Sequence, residues 1–399
     1  MQYAIVILDG AADEPQPSLA NQTILAAAVT PWLDSLAAQG EVGLAALVPA
    51  SLEPSSNVAC TAILGYDPVD YPIGRGALEL SALGIELADN EIALRTNLCH
   101  VSDQGVMVSY SCDNISSVDG HALCQELQAV LDDEQCRLYA GGGFRLYLVV
   151  KNRPGLLQTE LAAAHNITDQ PLADFPPRGP EAAWINDYLR RAAQVLASSP
   201  TNARRAAAGQ LVANRLMCFW PGQRPSGMPA FQERYGRTAA LNTGVDLLAG
   251  LAALTGIELY RFTGVTDGPD NDYAAQGLGV LEMLRQHDVV FVHVEAPDTA
   301  GHDGDVLAKK QAVEAIDREI ISRLVNYSQN QPLRILALPD HPTPVLRKRH
   351  APGPVPFVLA GPGVSTNGGR RLTEQEAARC GLRVDPGWQL LSRLLAETT

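Results

Sequence analysis

The sequence predicts an α/β fold: a mostly parallel sheet flanked by helices, interrupted by an inserted α+β domain. Three observations predict it. Short apolar runs in the outer parts of the chain end at or just before acidic residues, as buried parallel strands do when they deliver polar groups to a site. Stretches with helical spacing lie between those runs. The middle of the chain changes character, with more polar turns and fewer buried-strand runs.

Taken in order, Tyr3 to Leu8 is a near-continuous apolar run that ends at Asp9. Thr30-Pro31 opens a helix, threonine as N-cap and proline as first helical residue, and Gly40 closes it. Another helix begins near Val58, just after Ser55 and Ser56. From about Asn90 to Arg234 turns dominate: SDQG at 102–105, a glycine run at 141–143 and PPRGP at 176–180. Leu146 to Val150 reads as a strand there, and alanine-rich helical stretches flank Trp184 to Leu196. The outer pattern then resumes. Val289 to Val294 is followed by Asp298, and Leu333 to Leu338 by Asp340, with Val313, Ile316, Ile320 and Leu324 forming a helical stripe between them. The expected organisation is a discontinuous core, 1–90 and 235–399, around an inserted substrate or lid domain, 91–234. In open parallel sheets ligands gather beyond the carboxyl ends of the strands.

Composition narrows the function. The 399 residues fit two domains of the usual size, and 46% apolar content supports large cores and excludes a disordered chain. Thirty basic against 44 acidic residues give a net charge of −14, which argues against nucleic acid or an anionic membrane as partner. Seven scattered cysteines form no C-x-x-C pair and no disulfide framework, which fits a reducing, cytoplasmic location. The opening MQYAIVILDG has no basic segment ahead of its apolar run and reads as a strand rather than a signal peptide. No apolar run approaches the roughly 18 residues of a membrane helix.

The chemistry-bearing side chains cluster at the expected strand ends. Asp9 ends the first strand. Asp298 and His302, in APDTAGHDGD, are four apart and share a face if that stretch is helical. Asp340 and His341 end another strand, and His350 follows in a polar loop. Three carboxylates and three imidazoles suit a borderline divalent metal such as zinc or manganese better than calcium. Six such groups exceed one tetrahedral site, so two ions sharing them is the economical arrangement, and paired ions are a common clamp for phosphoryl chemistry. His100, His121, His165, His287 and His293 lack that setting. His293, inside an apolar run, reads as a core histidine.

Several of these segments resemble a known family. ILDG at 7–10, SSNVACTAILGYDP at 55–68, GRG at 74–76, VHVEAPDTAGHDGD at 292–305 and PDH at 339–341 resemble the alkaline phosphatase superfamily. Within it they are similar to the archaeal-type cofactor-independent phosphoglycerate mutases and their relatives proposed as homoserine kinases. SSPTNARR at 198–205 and FWPGQRPSGMPAFQERYG at 219–236 extend the resemblance into the middle. It implies an alkaline-phosphatase-like core and a serine nucleophile that becomes phosphorylated, which falls on Ser56; the residues alone do not choose between Ser55 and Ser56. It also implies two divalent ions, one held by Asp298, His302 and His350 and the other by Asp9, Ser56, Asp340 and His341. Manganese or zinc is expected, with magnesium and cobalt as further candidates.

The resemblance weakens where a substrate would be gripped. A D-R-R-A-G-R run of the family is replaced by Ser109-Tyr110-Ser111-Cys112-Asp113-Asn114, a lysine by Gln276, a P-H-D-I motif by Ala164-His165-Asn166-Ile167, and a histidine by Cys60. Arginine forks are the usual grip on carboxylates and phosphates. Arg75, Arg95, Arg145, Arg205 and Arg224 are the remaining candidates for substrate binding. The expected function is a two-metal phosphomutase acting on a small phosphorylated metabolite through a phosphoserine, with 3-phosphoglycerate to 2-phosphoglycerate as the reaction the resemblance implies. A phosphatase or phosphotransferase on another small ester is the alternative, and an inactive metal-binding metabolite sensor the second. Homo-oligomerisation is left open.

Overall fold

The apolar run that opens the chain becomes a strand because every residue from Tyr3 to Leu8 finds cover on both faces. In the computed structural model, which describes residues 1–225 and 227–396, the strands are β1 (Gln2–Leu8) and β2 (Glu41–Ala45); β3 (Glu91–Val101), β4 (Met107–Ser109), β5 (Cys136–Ala140), β6 (Arg145–Lys151) and β7 (Arg215–Gly222); then β8 (Ala239–Asn242), β9 (Glu258–Tyr260), β10 (Val289–Val294), β11 (Leu333–Leu338), β12 (Val355–Ala360) and β13 (Leu382–Val384). The chain divides into two units, Met1–Pro72 with Gly227–Thr399, and Ile73–Ser226. The joins thus fall at 72/73 and 226/227, where the sequence reading put them at 90/91 and 234/235.

The first unit holds an eight-stranded sheet in the order β13-β2-β12-β11-β1-β10-β8-β9. Its strands pair in parallel except at β12, which runs against both β11 and β2. β1, β10 and β11 lie side by side, and apart from Gln2 their residues are buried throughout, as the unbroken apolar runs require. One face packs on Leu33, Leu36, Val313, Ile316, Ile320 and Leu324 from the helices, so the stripe expected from the sequence is part of the core. That helix is not regular. Val306–Ile316 passes through a π turn at Asp317–Ile321 before Ser322–Ser328 continues it.

The π turn corrects one expectation. Thr30 does not cap the helix Pro31–Gln39 with its side chain. The Asp317 carboxylate takes that place and accepts the amides of Leu33 at 2.7 Å and Trp32 at 3.3 Å. A cap delivered from nearly 300 residues away satisfies the orphan donors as well as a local one would.

The second unit has its own sheet, β4-β3-β6-β5, with β7 on the other side of β3. Helices Ser117–Leu131 and Ala182–Ala197 supply Leu123, Leu127, Ile185, Ala192 and others to its core. β3 was not apparent in the sequence because Arg95, Thr96 and Asn97 interrupt its apolar pattern. All three are buried, and they are tolerated because Arg95 is ion-paired with Glu79 and the Asn97 amide donates to the Tyr110 carbonyl.

A buried ion pair braces the first unit. The Lys309 Nζ, fully enclosed, donates at 2.7 Å to both Asp13 Oδ2 and the Thr343 carbonyl. Lys309→Met should leave Asp13 charged, buried and without its cation. A loss of about 3–5 kcal/mol is expected, measured as a shift in the urea midpoint; an unchanged midpoint would show that Asp13 does not depend on it.

Candidate metal centre

Strand register decides which residues meet. Leu8 is level with Val294 and Ile7 with Leu338, so Asp9, Glu295 and Asp340 leave three adjacent strands at neighbouring carboxyl ends. Beyond β10 the chain turns into the helix Ala296–Asp303, started by Pro297 in its first turn. Its four-residue spacing brings His302 Nε2 to 3.3 Å from Asp298 Oδ2. His350 reaches the same carboxylate from its loop, with Nε2 3.5 Å from Asp298 Oδ1 and 3.0 Å from His302 Nε2. His341 lies between the two groups of side chains. Its Nε2 is 3.2 Å from Asp340 Oδ2 and 3.7 Å from Asp9 Oδ1, and its ring centroid is 4.0 Å from that of His350.

Ser56 is the first residue of the helix Ser56–Ile63, and its Oγ stands 3.2 Å from His341 Nε2. Ser55 Oγ turns away and donates to the Glu53 carbonyl. All seven residues singled out from sequence and resemblance therefore converge. The donor atoms group as Asp298, His341 and His350; as Asp9, Asp340 and His341; and as Asp9, His293 and Glu295.

The orientation of these groups fits a cation. His302 Nδ1 lies 3.1 Å from the Lys348 carbonyl and His350 Nδ1 3.1 Å from the Pro54 carbonyl, so in both rings the proton sits on Nδ1. Thr343 donates its hydroxyl to Asp298 Oδ1 at 2.5 Å and accepts from His341 Nδ1 at 3.2 Å, which protonates that ring on the same side. Three Nε2 lone pairs are thereby aimed at carboxylates. Asp340 Oδ1 accepts the amides of Gly10 at 3.0 Å and His341 at 2.8 Å, which leaves its Oδ2 without a donor. Among the described residues, Asp9 Oδ1 and Glu295 Oε2 are also buried without a partner. Lone pairs facing lone pairs in a buried site are costly unless a cation lies between them. The mixed imidazole and carboxylate set suits a divalent metal ion.

The electrostatics reflect the same crowding. Burial pushes the Asp9 carboxyl well up, and the charges of Asp340, Glu295 and Asp298 add to it. Burial raises Glu295 to about 7, with Asp298 and Asp340 contributing. Burial alone would raise Asp298, but its contacts with His302 and His350 outweigh this and hold it well below the usual range. The Asp298 contact in turn raises His302, and raises His350 against the opposing effect of burial. Burial keeps the Cys60 thiol protonated, helped by Asp340 and Glu295.

Four participants escaped the sequence reading. Thr343 and Glu295 are ordinary residues in a loop and after a strand. His293 looked like a core histidine, yet its Nε2 is 2.7 Å from Asp9 Oδ2. Gly10 adopts φ +60°, and a Cβ there would run into the Asp298 carboxylate and backbone and the Thr343 hydroxyl, so glycine lets the strand end approach the ligand helix.

The second unit carries the five candidate arginines. Arg75 and Arg95 meet on Glu79, which also accepts the Tyr147 hydroxyl at 3.0 Å. Arg75 remains exposed over the Trp220 ring at 4.4 Å, and Arg145 lies against Phe144 at 5.1 Å. Arg205 is buried; its Nε and Nη2 bond the Leu211 carbonyl and its Nη1 Asp119, so it braces its own unit. Arg224 is exposed. In the first unit, Gln276, where the family has lysine, is fully buried and hydrogen-bonded to Asn242, Asn271 and the His293 carbonyl.

Known proteins share the sequence and the fold of this chain. A family model described as "2,3-bisphosphoglycerate-independent phosphoglycerate mutase" matches residues 37–202. A protein of that name from Methanosarcina mazei is 39% identical over 361 residues, 90% of each chain. A probable mutase of the same name from Geobacter sulfurreducens is 34% identical over 400 residues, 99% of this chain and 100% of that one. Among solved structures, the cofactor-independent phosphoglycerate mutase of Thermoplasma acidophilum matches with a TM-score of 0.69 at 25% identity, covering 99% of this chain and 100% of that one. A Pyrococcus horikoshii protein shares the fold with a TM-score of 0.81 at 24% identity, covering 100% of this chain and 98% of that one.

Proposed function

Because the chain belongs to the family of 2,3-bisphosphoglycerate-independent phosphoglycerate mutases, we propose that it interconverts 3-phosphoglycerate and 2-phosphoglycerate through a phosphoserine at Ser56. The observation that carries this reading is the Ser56 hydroxyl at 3.2 Å from His341 Nε2, beside buried carboxylate oxygens that have no donor. Asp298, His302 and His350 would hold one divalent ion, and Asp9, Ser56, Asp340 and His341 the other, with manganese or zinc favoured by the donor set. When bound, such ions supply charge neutralisation for the phosphoryl group and a lowered pKa for the serine hydroxyl.

The chain's own residues set up the transfer. The His341 contact orients Ser56 Oγ, and the start of the helix Ser56–Ile63 favours negative charge on that oxygen. Ser56 gives up its hydroxyl proton as Oγ bonds to phosphorus, and the bond from phosphorus to the substrate oxygen breaks. That oxygen takes a proton and leaves glycerate in place. The reverse step on the other glycerate hydroxyl breaks the Oγ–phosphorus bond and restores Ser56. Exposed Arg75, Arg145 and Arg224 are our candidates for holding the substrate; Arg95 and Arg205 would act by bracing the second unit. We place the protein in the cytoplasm, a reading supported by its seven unpaired cysteines. No helix among the described residues is long and apolar enough to cross a membrane.

The test is incubation of the manganese-loaded chain with 3-phosphoglycerate, read by an enolase-coupled assay. Formation of 2-phosphoglycerate is expected. Release of inorganic phosphate in its place would overturn the mutase reading in favour of a phosphatase, an outcome that the missing arginines at 109–114 and the buried Gln276 make worth measuring.

A further inference from the structure

We propose that His293 is a positioning residue that holds Asp9 by donating a proton to it, and is not a metal ligand. The inference rests on the metal reading above and deepens it, because it sorts four histidines of the same neighbourhood into two chemical roles by their hydrogen bonds.

Each ring has one nitrogen facing the carboxylates and one facing a support. For His302 and His350 the support is a backbone carbonyl, which can only accept, so Nδ1 carries the proton. For His341 the support is Thr343 Oγ1, whose own proton goes to Asp298, so again Nδ1 carries the proton. Those three rings turn a bare Nε2 inward, the form a metal requires.

His293 is wired the other way. Its Nδ1 is 3.1 Å from Thr243 Oγ1. That hydroxyl already accepts the Val245 amide at 3.0 Å, and His293 Nδ1 is where its own proton can go. A ring that accepts at Nδ1 carries its proton on Nε2. Nε2 is 2.7 Å from Asp9 Oδ2, the length of a charge-assisted N–H···O bond, and the proton that Nδ1 does not carry lies on that line. Asp9 Oδ2 is thereby committed, and Oδ1, which has no partner, is the oxygen on the His341 side at 3.7 Å.

The fold prepares this arrangement. Ile7 pairs with His293, so His293 and Asp9 lie on the same face of β10 and β1, two positions apart. The His293 carbonyl is fixed at 2.9 Å by Gln276 Nε2, and Gln276 is itself held by Asn242 and Asn271. Thr243 follows β8 directly. Two neighbouring strands and a buried amide thus set the ring before any ion arrives. The rival reading comes from Glu295, whose Oε2 is 3.7 Å from His293 Nε2: Asp9, His293 and Glu295 would form a third cation site with Nε2 as ligand.

Metal titration of the metal-free protein and imidazole nitrogen NMR separate these readings. In wild type two zinc ions are expected. The His293 Nε2–H signal should survive loading, while Nε2 of His302, His341 and His350 shifts as ligated nitrogen. His293→Gln, which places an amide N–H near the position of Nε2, should keep both affinities within about threefold, whereas His293→Leu should weaken one ion by about 10- to 100-fold and spare the other. A third ion lost in both variants, or loss of the His293 Nε2–H on loading, would overturn the inference. So would wild-type affinity in His293→Leu. A wild-type chain that takes up no zinc would overturn the metal reading itself, and this inference with it. The wild-type spectrum decides the tautomer even if the leucine variant fails to fold.

Discussion

Ser56→Ala should remove phosphate transfer to the protein altogether and lower mutase turnover on the order of 10⁴-fold or more. The expectation follows from where the hydroxyl sits. Ser56 Oγ is 3.2 Å from His341 Nε2 at the start of a helix, with His341 itself fixed by Thr343 and packed against the His350 ring. Alanine at the first helical position costs the helix little, because the lost group is neither a cap nor a core contact. The folded population and the zinc stoichiometry of the other ligands should therefore survive, and the loss should appear in the chemical step. Ser55→Ala is the matched control. Among the described residues Ser55 Oγ bonds only the Glu53 carbonyl, at 3.4 Å, so its removal should leave turnover within about twofold. Phosphopeptide mass spectrometry after incubation with 3-phosphoglycerate reads the intermediate directly. A phosphate that persists in Ser56→Ala, or one that maps to Ser55, would reassign the nucleophile.

The legible parts of this site share a physical trait. Asp9, Asp298 and Asp340 could be read because a charged residue after an unbroken apolar run is conspicuous, and the ends of parallel strands are where chemistry collects. His302 and His350 followed from spacing and composition. What stayed hidden depends on partners remote in sequence. His293 is one apolar-strand residue among six until β1 is laid beside β10 and Asp9 comes within 2.7 Å. Thr343 acquires its role from Asp298, 45 positions earlier in the chain. β3 was hidden for the same reason, since the Glu79 and Tyr110 groups that make its polar centre tolerable lie outside it. Thr30 looked like a cap because local rules were all that could be applied, and Asp317 supplies the cap from another helix. The arginines show the converse dependence. Arg205 has the residue type of an anion grip, but it is buried and all three of its nitrogens already donate to Leu211 or Asp119. Residue type indicates what a side chain could bind, and the surrounding hydrogen bonds decide whether any donor remains for it.

Removing the metals should destabilise the protein, and more so as the pH rises from 6.5 to 8. In the metal-free chain burial raises Asp9 and Glu295, the latter to about 7, and the Asp298 contact keeps His302 and His350 above their ordinary value. A group whose folded-state pKa is raised binds its proton more tightly folded than unfolded. Its contribution is complete below the unfolded value and disappears as the pH climbs through the folded one. His293 and His341 are shifted down and work oppositely, but most of that effect falls below about pH 6.5 and it fades within about one further unit, as an unfolded histidine gives up its proton. Asp298, held low, changes only in acid. Above 6.5 the raised groups therefore dominate, and the metal-free melting temperature should fall. Metal ions do the opposite, because they take the places of those protons and compete with fewer of them as the pH rises. Each proton displaced is worth about 1.4 kcal/mol per pH unit, so the stability gap between manganese-loaded and chelator-treated protein should widen by about 1–3 kcal/mol across the window. Thermal denaturation of both forms at several pH values measures that gap. Asp9→Asn, which removes the raised carboxyl and one ligand charge together, should narrow it. A gap of constant size would mean that metal binding displaces no protons from this cluster, and that the ions stabilise the chain from somewhere else.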